Sequence, residues 1–115
     1  MTRALVDRFF QAMNDSDVAA VPGLFAPEAE IVIGPNVARG HAEIGEIVLQ
    51  EGPPELAIDT RPTGYEDTGG GALVPFVRTQ VWRESGELAV EEELWVTFAF
   101  AGDRIARAEL HQERP

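Results

Sequence analysis

The sequence contains no cysteine. That excludes a disulfide-stapled scaffold, a thiol nucleophile and a thiolate zinc site, and it fits the reducing cytoplasm. Histidine is almost as scarce. His41 and His111 are the only two, far apart and without the HExxH spacing of a helical metal site, so no metal is expected. Basic residues number nine against 20 acidic ones, giving a formal net charge of −11. Such a surface repels phosphate backbones and anionic lipids, so neither nucleic acid nor a membrane is an expected partner. No apolar run reaches the roughly 20 residues of a membrane span, and MTRALVDRFF carries Asp7 where a signal peptide would be apolar. There is no phosphate-cradling glycine motif, since TGGGA at 68–72 reads as a turn, and no cofactor is expected. No serine sits in a nucleophile motif. Ser16 reads as a helix cap and Ser85 as a turn residue.

What is present is an ordinary globular composition in 115 residues, 44% hydrophobic and 25% charged, enough for one domain spanning 1–115. Leu5, Val6, Phe9, Phe10 and Met13 recur at helical spacing and predict a helix over 2–13. NDSD breaks it, and Asp15 or Ser16 then caps a second helix to about Leu24, with Val18, Val21 and Phe25 inward. A strand is expected at Glu28–Ile33, closed by Gly34 and Pro35, and a third helix at His41–Gln50 with Ile44, Ile47 and Val48 inward, ended by Gly52 and the prolines after it. Four strands follow: Leu56–Tyr65, Leu73–Arg83, Leu88–Ala101 and Arg104–Gln112, an antiparallel meander turning at TGGG, ESGE and AGDR. Helices first and strands later make an α+β domain.

Three stretches in this order, RFFQAMNDSDVAAVPGLFAPEAEIVIGP, RGHAEI and FAFAGDRIARAE, resemble the nuclear-transport-factor-2-like superfamily of SnoaL-like cyclases and ketosteroid isomerases, over nearly the whole chain. The resemblance implies a cone: a curved antiparallel sheet wrapped around three helices of the N-terminal half, enclosing a pocket for a hydrophobic small molecule. It implies an isomerase-, cyclase- or hydratase-like enzyme, and often a homodimer through the outer sheet face. The fold also hosts carriers and adaptors, so fold alone does not fix function. Where ketosteroid isomerases carry their base, their oxyanion tyrosine and their second acid, this sequence has Gly34, Phe9 and Val96. The Asp–Arg–Asp set of the superfamily's epoxide hydrolases is not found.

AVEEELWVTFAF, at 89–100, places three glutamates inside the most hydrophobic run. Alternation sends Glu91 and Glu93 to one face and Glu92 to the other. A hairpin tipped by Ser85 and Gly86 would set Arg78 opposite Glu93 and Thr79 opposite Glu92. On that register Val90, Leu94, Val96 and Phe98 face inward with Glu92 and Thr79. Phe9, Met13, Ile33, Ile47 and Leu110 complete the expected pocket lining. The outer face then carries Phe76, Arg78, Trp82, Glu93 and Trp95, an aromatic cluster expected to form the dimer interface. Glu92 is the first catalytic candidate, because an apolar pocket moves a carboxylate towards the range where proton transfer is efficient. The alternative is a place at the open end of the sheet, bonded to Thr79 or water.

Glu109 and His111, two apart in ARAELHQE, form a second acid–base candidate. Plain alternation turns them outward with Arg107, and a bulge after AGDR would turn them inward. His41 reads as a near-cap residue at the rim. The two functional alternatives to an enzyme are a non-catalytic hydrophobic-ligand-binding protein and a dimeric interaction module with a filled core.

Overall fold

The computed structural model describes residues 2–49 and 54–115. Helix α1 (Thr2–Asp15) buries Leu5, Val6, Phe9, Phe10 and Ala12, the single stripe that its spacing dictates. It ends at Ser16, whose left-handed backbone (φ 51°) turns the chain and whose hydroxyl donates to the Leu49 carbonyl at 3.1 Å. Ser16 therefore closes α1 rather than capping the next helix. That helix is shorter than expected: a 3-10 turn at Val18–Ala20 and then α2 (Val21–Leu24), one turn long. Pro22 suits a helix start, but Pro22 and Gly23 together sustain no more than that. Val21 and Phe25 are inward, as expected, while Val18 is exposed.

Strand β1 (Phe25–Ile33) starts earlier than the sequence suggests. Gly34 (φ 57°) and Pro35 turn it into β2 (Asn36–Arg39), a short antiparallel partner that the sequence reading lacked. Helix α3 (Gly40–Val48) follows. The expected helix end at Gln50 and the stop at Gly52 and Pro53 lie outside the described residues. The chain resumes with β3 (Leu56–Pro62), the two-residue β4 (Glu66–Asp67), β5 (Gly71–Trp82), β6 (Leu88–Ala101) and β7 (Arg104–His111). Of the glycines in TGGG, Gly71 has a steric reason: a Cβ there would lie 1.9 Å from the Phe98 carbonyl oxygen.

The seven strands form one open, curved sheet in the order β2-β1-β7-β6-β5-β3, with β4 added to the start of β5. β3, β5, β6 and β7 are the antiparallel meander, and the parallel β1–β7 pair joins the N-terminal half to it. The helices pack on one face, giving an α+β cone. Phe9 sits at the centre of the core, edge-on to Phe10, Phe25 and Phe98 at 5.2, 5.9 and 5.2 Å.

Two bulges set which residues face the helices. The β5–β6 turn is longer than a two-residue hairpin: the Trp82 amide donates to the Glu87 carbonyl and the Gly86 amide to the Trp82 carbonyl. That length change shifts the register by two and leaves the faces alone. Ala89 then stands as an extra residue in β6, because Val81 pairs with Leu88 but Gln80 with Val90. This one-residue step reverses the faces of β5 relative to the simple hairpin. Arg78 is thus opposite Glu92, not Glu93, and Thr79 is opposite Glu91. In β7 the extra residue is Ala106, between Ile105 and Arg107. It brings Ile105 inward without turning Glu109 and His111 inward.

β3 is an edge strand, and an edge leaves backbone groups unpaired. Asn14, in the last turn of α1, supplies the missing partner. Its Nδ2 donates to the Thr60 carbonyl, and its Oδ1 accepts from the Thr60 amide and hydroxyl, each at 2.8 Å. One side chain thereby ties the helix to the sheet at Thr60, which is itself buried. Asn14→Ala should lower stability by about 2 kcal/mol or more, since it strands both backbone groups. A shift in urea midpoint measures this, and a change within error would show the clamp to be dispensable.

Candidate functional site

Two helices and five strands enclose a cavity of about 240 Å³. Phe9, Phe10 and Met13 of α1 and Ile47 of α3 form one wall. The sheet forms the other, in cross-strand rows that the register defines. Ile31, Ala108, Phe98 and Ala72 make one row, and Ile33, Leu110, Val96 and Val74 the next. Pro62, Phe76 and Leu94 follow. The fourth row is Thr60, Arg78 and Glu92, and beyond it come Ile58, Gln80 and Val90. The inner wall is apolar through its first three rows and then meets one polar row continuous with the Asn14 clamp.

Within that row, Arg78 Nε donates to Glu92 Oε1 at 2.8 Å, and Arg78 Nη2 donates to the same oxygen. Both side chains are 35% exposed, so the pair lies at the cavity mouth rather than in its depth. Thr60, Arg78 and Gln80 line the cavity directly. Glu92 stands immediately behind Arg78 and fixes one side of its guanidinium. The arrangement offers a carboxylate able to take a proton, guanidinium and amide N–H donors, and a threonine oxygen, all beside an apolar chamber. No cluster of three or more metal-ligating side chains occurs among the described residues.

The structure places the sequence candidates unevenly. Phe9, Met13, Ile33, Ile47, Val96 and Leu110 line the cavity. Leu94 and Phe98 are on the inner face but buried in the core beside it. Val90 is inner by parity yet 41% exposed beyond the mouth. Thr79 is a correction: the Ala89 bulge turns it to the outer face. The same bulge removes Phe76 and Arg78 from the expected dimer surface, since Phe76 is 4% exposed and both line the cavity. Trp82 shares their parity and lies at the far, solvent-exposed end of β5. Only Trp95 and Glu93 of that expected surface remain on the outer face.

Glu109 and His111 are outer as well, paired across the sheet with Thr97 and Trp95. They do not face each other as a dyad. His111 Nε2 lies 3.0 Å from the Thr97 hydroxyl, and Glu109 takes Arg107 at 3.1 Å. His41, at the start of α3, donates through Nε2 to the Phe25 carbonyl at 3.0 Å and is absent from the cavity lining. Sequence reasoning missed Phe10, Ile31, Ile58, Thr60, Phe76, Arg78, Gln80 and Ala108 as lining residues. The β5 members left no signal in the sequence, because residues 72–77 are apolar on both faces.

No protein-family model and no curated protein matches the chain. Solved structures do. A protein from Sinorhizobium meliloti described as a candidate polyketide cyclase is 23% identical, with 94% of each chain covered and a TM-score of 0.72. A nuclear-transport-factor-2-like protein of unknown function from Burkholderia pseudomallei is 18% identical, covering 96% of this chain and 89% of that one, with a TM-score of 0.76. An LEH-like epoxide hydrolase of M. tuberculosis is 14% identical over 96% and 76%, with a TM-score of 0.75. The chain has the nuclear-transport-factor-2-like fold.

The assignment of faces is testable by paired truncation. Phe76→Ala should cost about 3–5 kcal/mol, the usual price of a large core deletion, and Val77→Ala about 1 kcal/mol or less. Denaturant titration of the two variants reads this directly, and the reverse order would place β5 on the other register.

Proposed function

We propose that the chain is a small-molecule enzyme that moves a proton on a lipophilic substrate held in the cone cavity, with Glu92 as the proton acceptor. The observation that carries this reading is one carboxylate in the polar row that closes the apolar inner wall, bonded to a guanidinium that lines the cavity. Burial of an apolar ligand surface contributes roughly 25 cal/mol per Å², which binds without specifying chemistry. The polar row supplies the chemistry. Isomerisation, cyclisation and hydration all need a positioned base, and a base must lie within hydrogen-bond reach of the proton or act through one water. Neighbours described as a candidate cyclase and an epoxide hydrolase support this class of reaction without naming the reaction. The isomerase positions are occupied by Gly34, Phe9 and Val96, so the work falls to the Arg78–Glu92 pair. The proposed setting is the cytoplasm, on the cysteine-free composition.

A panel of small lipophilic compounds incubated with the protein in heavy water tests the reading. Wild type should exchange carbon-bound hydrogen of a bound compound. Glu92→Gln should lose about 100- to 10,000-fold of that rate while binding changes little. The second reading, a carrier, is favoured by the commitment of Glu92 to Arg78; it expects compounds recovered unlabelled and unchanged from wild type.

A homodimer through the outer sheet face belongs to the same proposal. No described helix covers that face, and Val32, Val37, Pro75, Val77, Val81 and Trp95 lie there half-buried or exposed. A stable contact of this kind buries about 800 Å² per partner. Sedimentation should show a dimer that Trp95→Glu converts to monomer, and a monomeric wild type would remove the interface.

A further inference from the structure

We infer that the free half of β6, Leu88–Leu94, is a docking edge for an extended basic segment of another protein, which adds to the sheet as a further strand. The inference holds whether or not the cavity catalyses a reaction.

The outermost strands of the sheet are guarded. β2 is only four residues long, and Asn14 satisfies β3 at Thr60. β6 supplies a third edge. It pairs with β5 over Leu88–Ala99 but with β7 only over Trp95–Ala101, because β7 ends at His111. The chain beyond His111 does not pair with β6. Arg114 instead reaches Glu66 of β4, on the far side of β5, at 2.9 Å. On the β7 side of Leu88–Leu94 no described residue supplies a backbone partner. Ala89 breaks the register, so Val90–Leu94 is the regular part, five residues in step with Gln80–Phe76. That approaches the length of an ordinary strand, about 5–6 residues. An open edge of this kind is a template for an incoming strand, which gains backbone hydrogen bonds from it and specificity from alternate side chains.

The side chains decide which strand fits. Glu91 and Glu93 are exposed on the outer face, and neither takes part in an ion pair among the described residues. Asp59 shares the cross-strand row of Glu91, beyond Thr79, and adds a third carboxylate. Glu92 is committed to Arg78 on the inner face, where Val90 beside it is 41% exposed. A second copy of this edge is a poor occupant. Laid antiparallel on itself about Glu92, the stretch would set each Glu91 opposite a Glu93, and like charges directly opposite each other disfavour pairing. Both copies would also carry −11. A strand with lysine or arginine at alternate positions meets Glu91 and Glu93 with opposite charge, and its intervening apolar residues meet Val90 at the cavity rim. The partner is therefore an extended segment in which basic and apolar residues alternate.

Amide hydrogen exchange of isotope-labelled protein tests the inference with two acetylated, amidated heptapeptides. One alternates lysine with valine and the other alternates glutamate with valine. The lysine peptide, at about ten times its Kd, should slow exchange about tenfold at those amides within residues 90–94 that β5 leaves free, and leave the β3 edge unchanged. It should bind about tenfold more tightly than the glutamate peptide, the sum of opposite against like charge at two positions. The difference should vanish in about 1 M salt. The double variant Glu91→Lys, Glu93→Lys, altered only at exposed positions, should invert the preference. No binding of either peptide at millimolar concentration, equal binding of both, or protection elsewhere than 90–94 would overturn the inference. So would protection of 90–94 in the protein alone that grows with its concentration, because that assigns the edge to a second copy. The ranking of the peptides on wild type stands without the variant, so a folding defect in the variant does not decide the outcome.

Discussion

A single extra residue, Ala89 in β6, is the constraint on which the rest of the site depends. β6 must present Leu94, Val96 and Phe98 to the helices, and β5 must present Ala72, Val74 and Phe76. The turn between them pairs Trp82 with Glu87 and Val81 with Leu88, which are residues of opposite parity in the sequence. Without the bulge, β5 would turn Leu73, Pro75, Val77 and Thr79 to the helices in place of Val74, Phe76 and Arg78. Burying a side chain as large as Phe76 is worth about 1.5–3 kcal/mol. The bulge satisfies both strands at once, and in doing so it brings Arg78 and Glu92 inward together.

The pairing of those two residues adds little to stability. Side chains a third exposed form an ion pair worth about 0–1 kcal/mol, and an apolar pair would serve the wall as well. What the pair adds is a fixed, neutral, polar end to an apolar chamber. The opposite wall is fixed by α1. Asn14 anchors the end of α1 to the edge of β3, and Phe9 locks its middle against Phe25 and Phe98. Phe9, Phe10 and Met13 therefore stand at a set height over the sheet, and the space between becomes a cavity instead of a filled core. The polar row runs from that same anchor: Asn14, Thr60, Arg78, Glu92. Clamp and site are one continuous band, so the element that holds the helix also positions the mouth.

The architecture was legible because it rests on period and punctuation. The stripe of α1, the break at Asn14–Asp17 and the four later strands all follow from local pattern, and Leu88–Ala101 coincides with β6 to the residue. The inward parity of Glu92 also followed from β6's own alternation. What was not legible lay between strands. Turn length and bulges are set by the packing of both strands together, and neither ESGE nor AGDR announces an extra alanine. The one extra residue Ala89 accounts for Thr79 lying outside and for Phe76, Arg78 and Trp82 having inner parity, against the simple hairpin. β2 and β4 were missed for another reason: at four and two residues they have too little pattern to read.

The account turns on Arg78 and Glu92 being cross-strand partners on the cavity face. Nuclear Overhauser contacts across the β5–β6 ladder measure this most directly. The account predicts contacts pairing Arg78 with Glu92 and Thr79 with Glu91, together with side-chain contacts from Arg78 to Thr60 of β3. Contacts pairing Arg78 with Glu93 and Thr79 with Glu92 would contradict it, for they would return the arginine to the outer face and leave the cavity without its polar end.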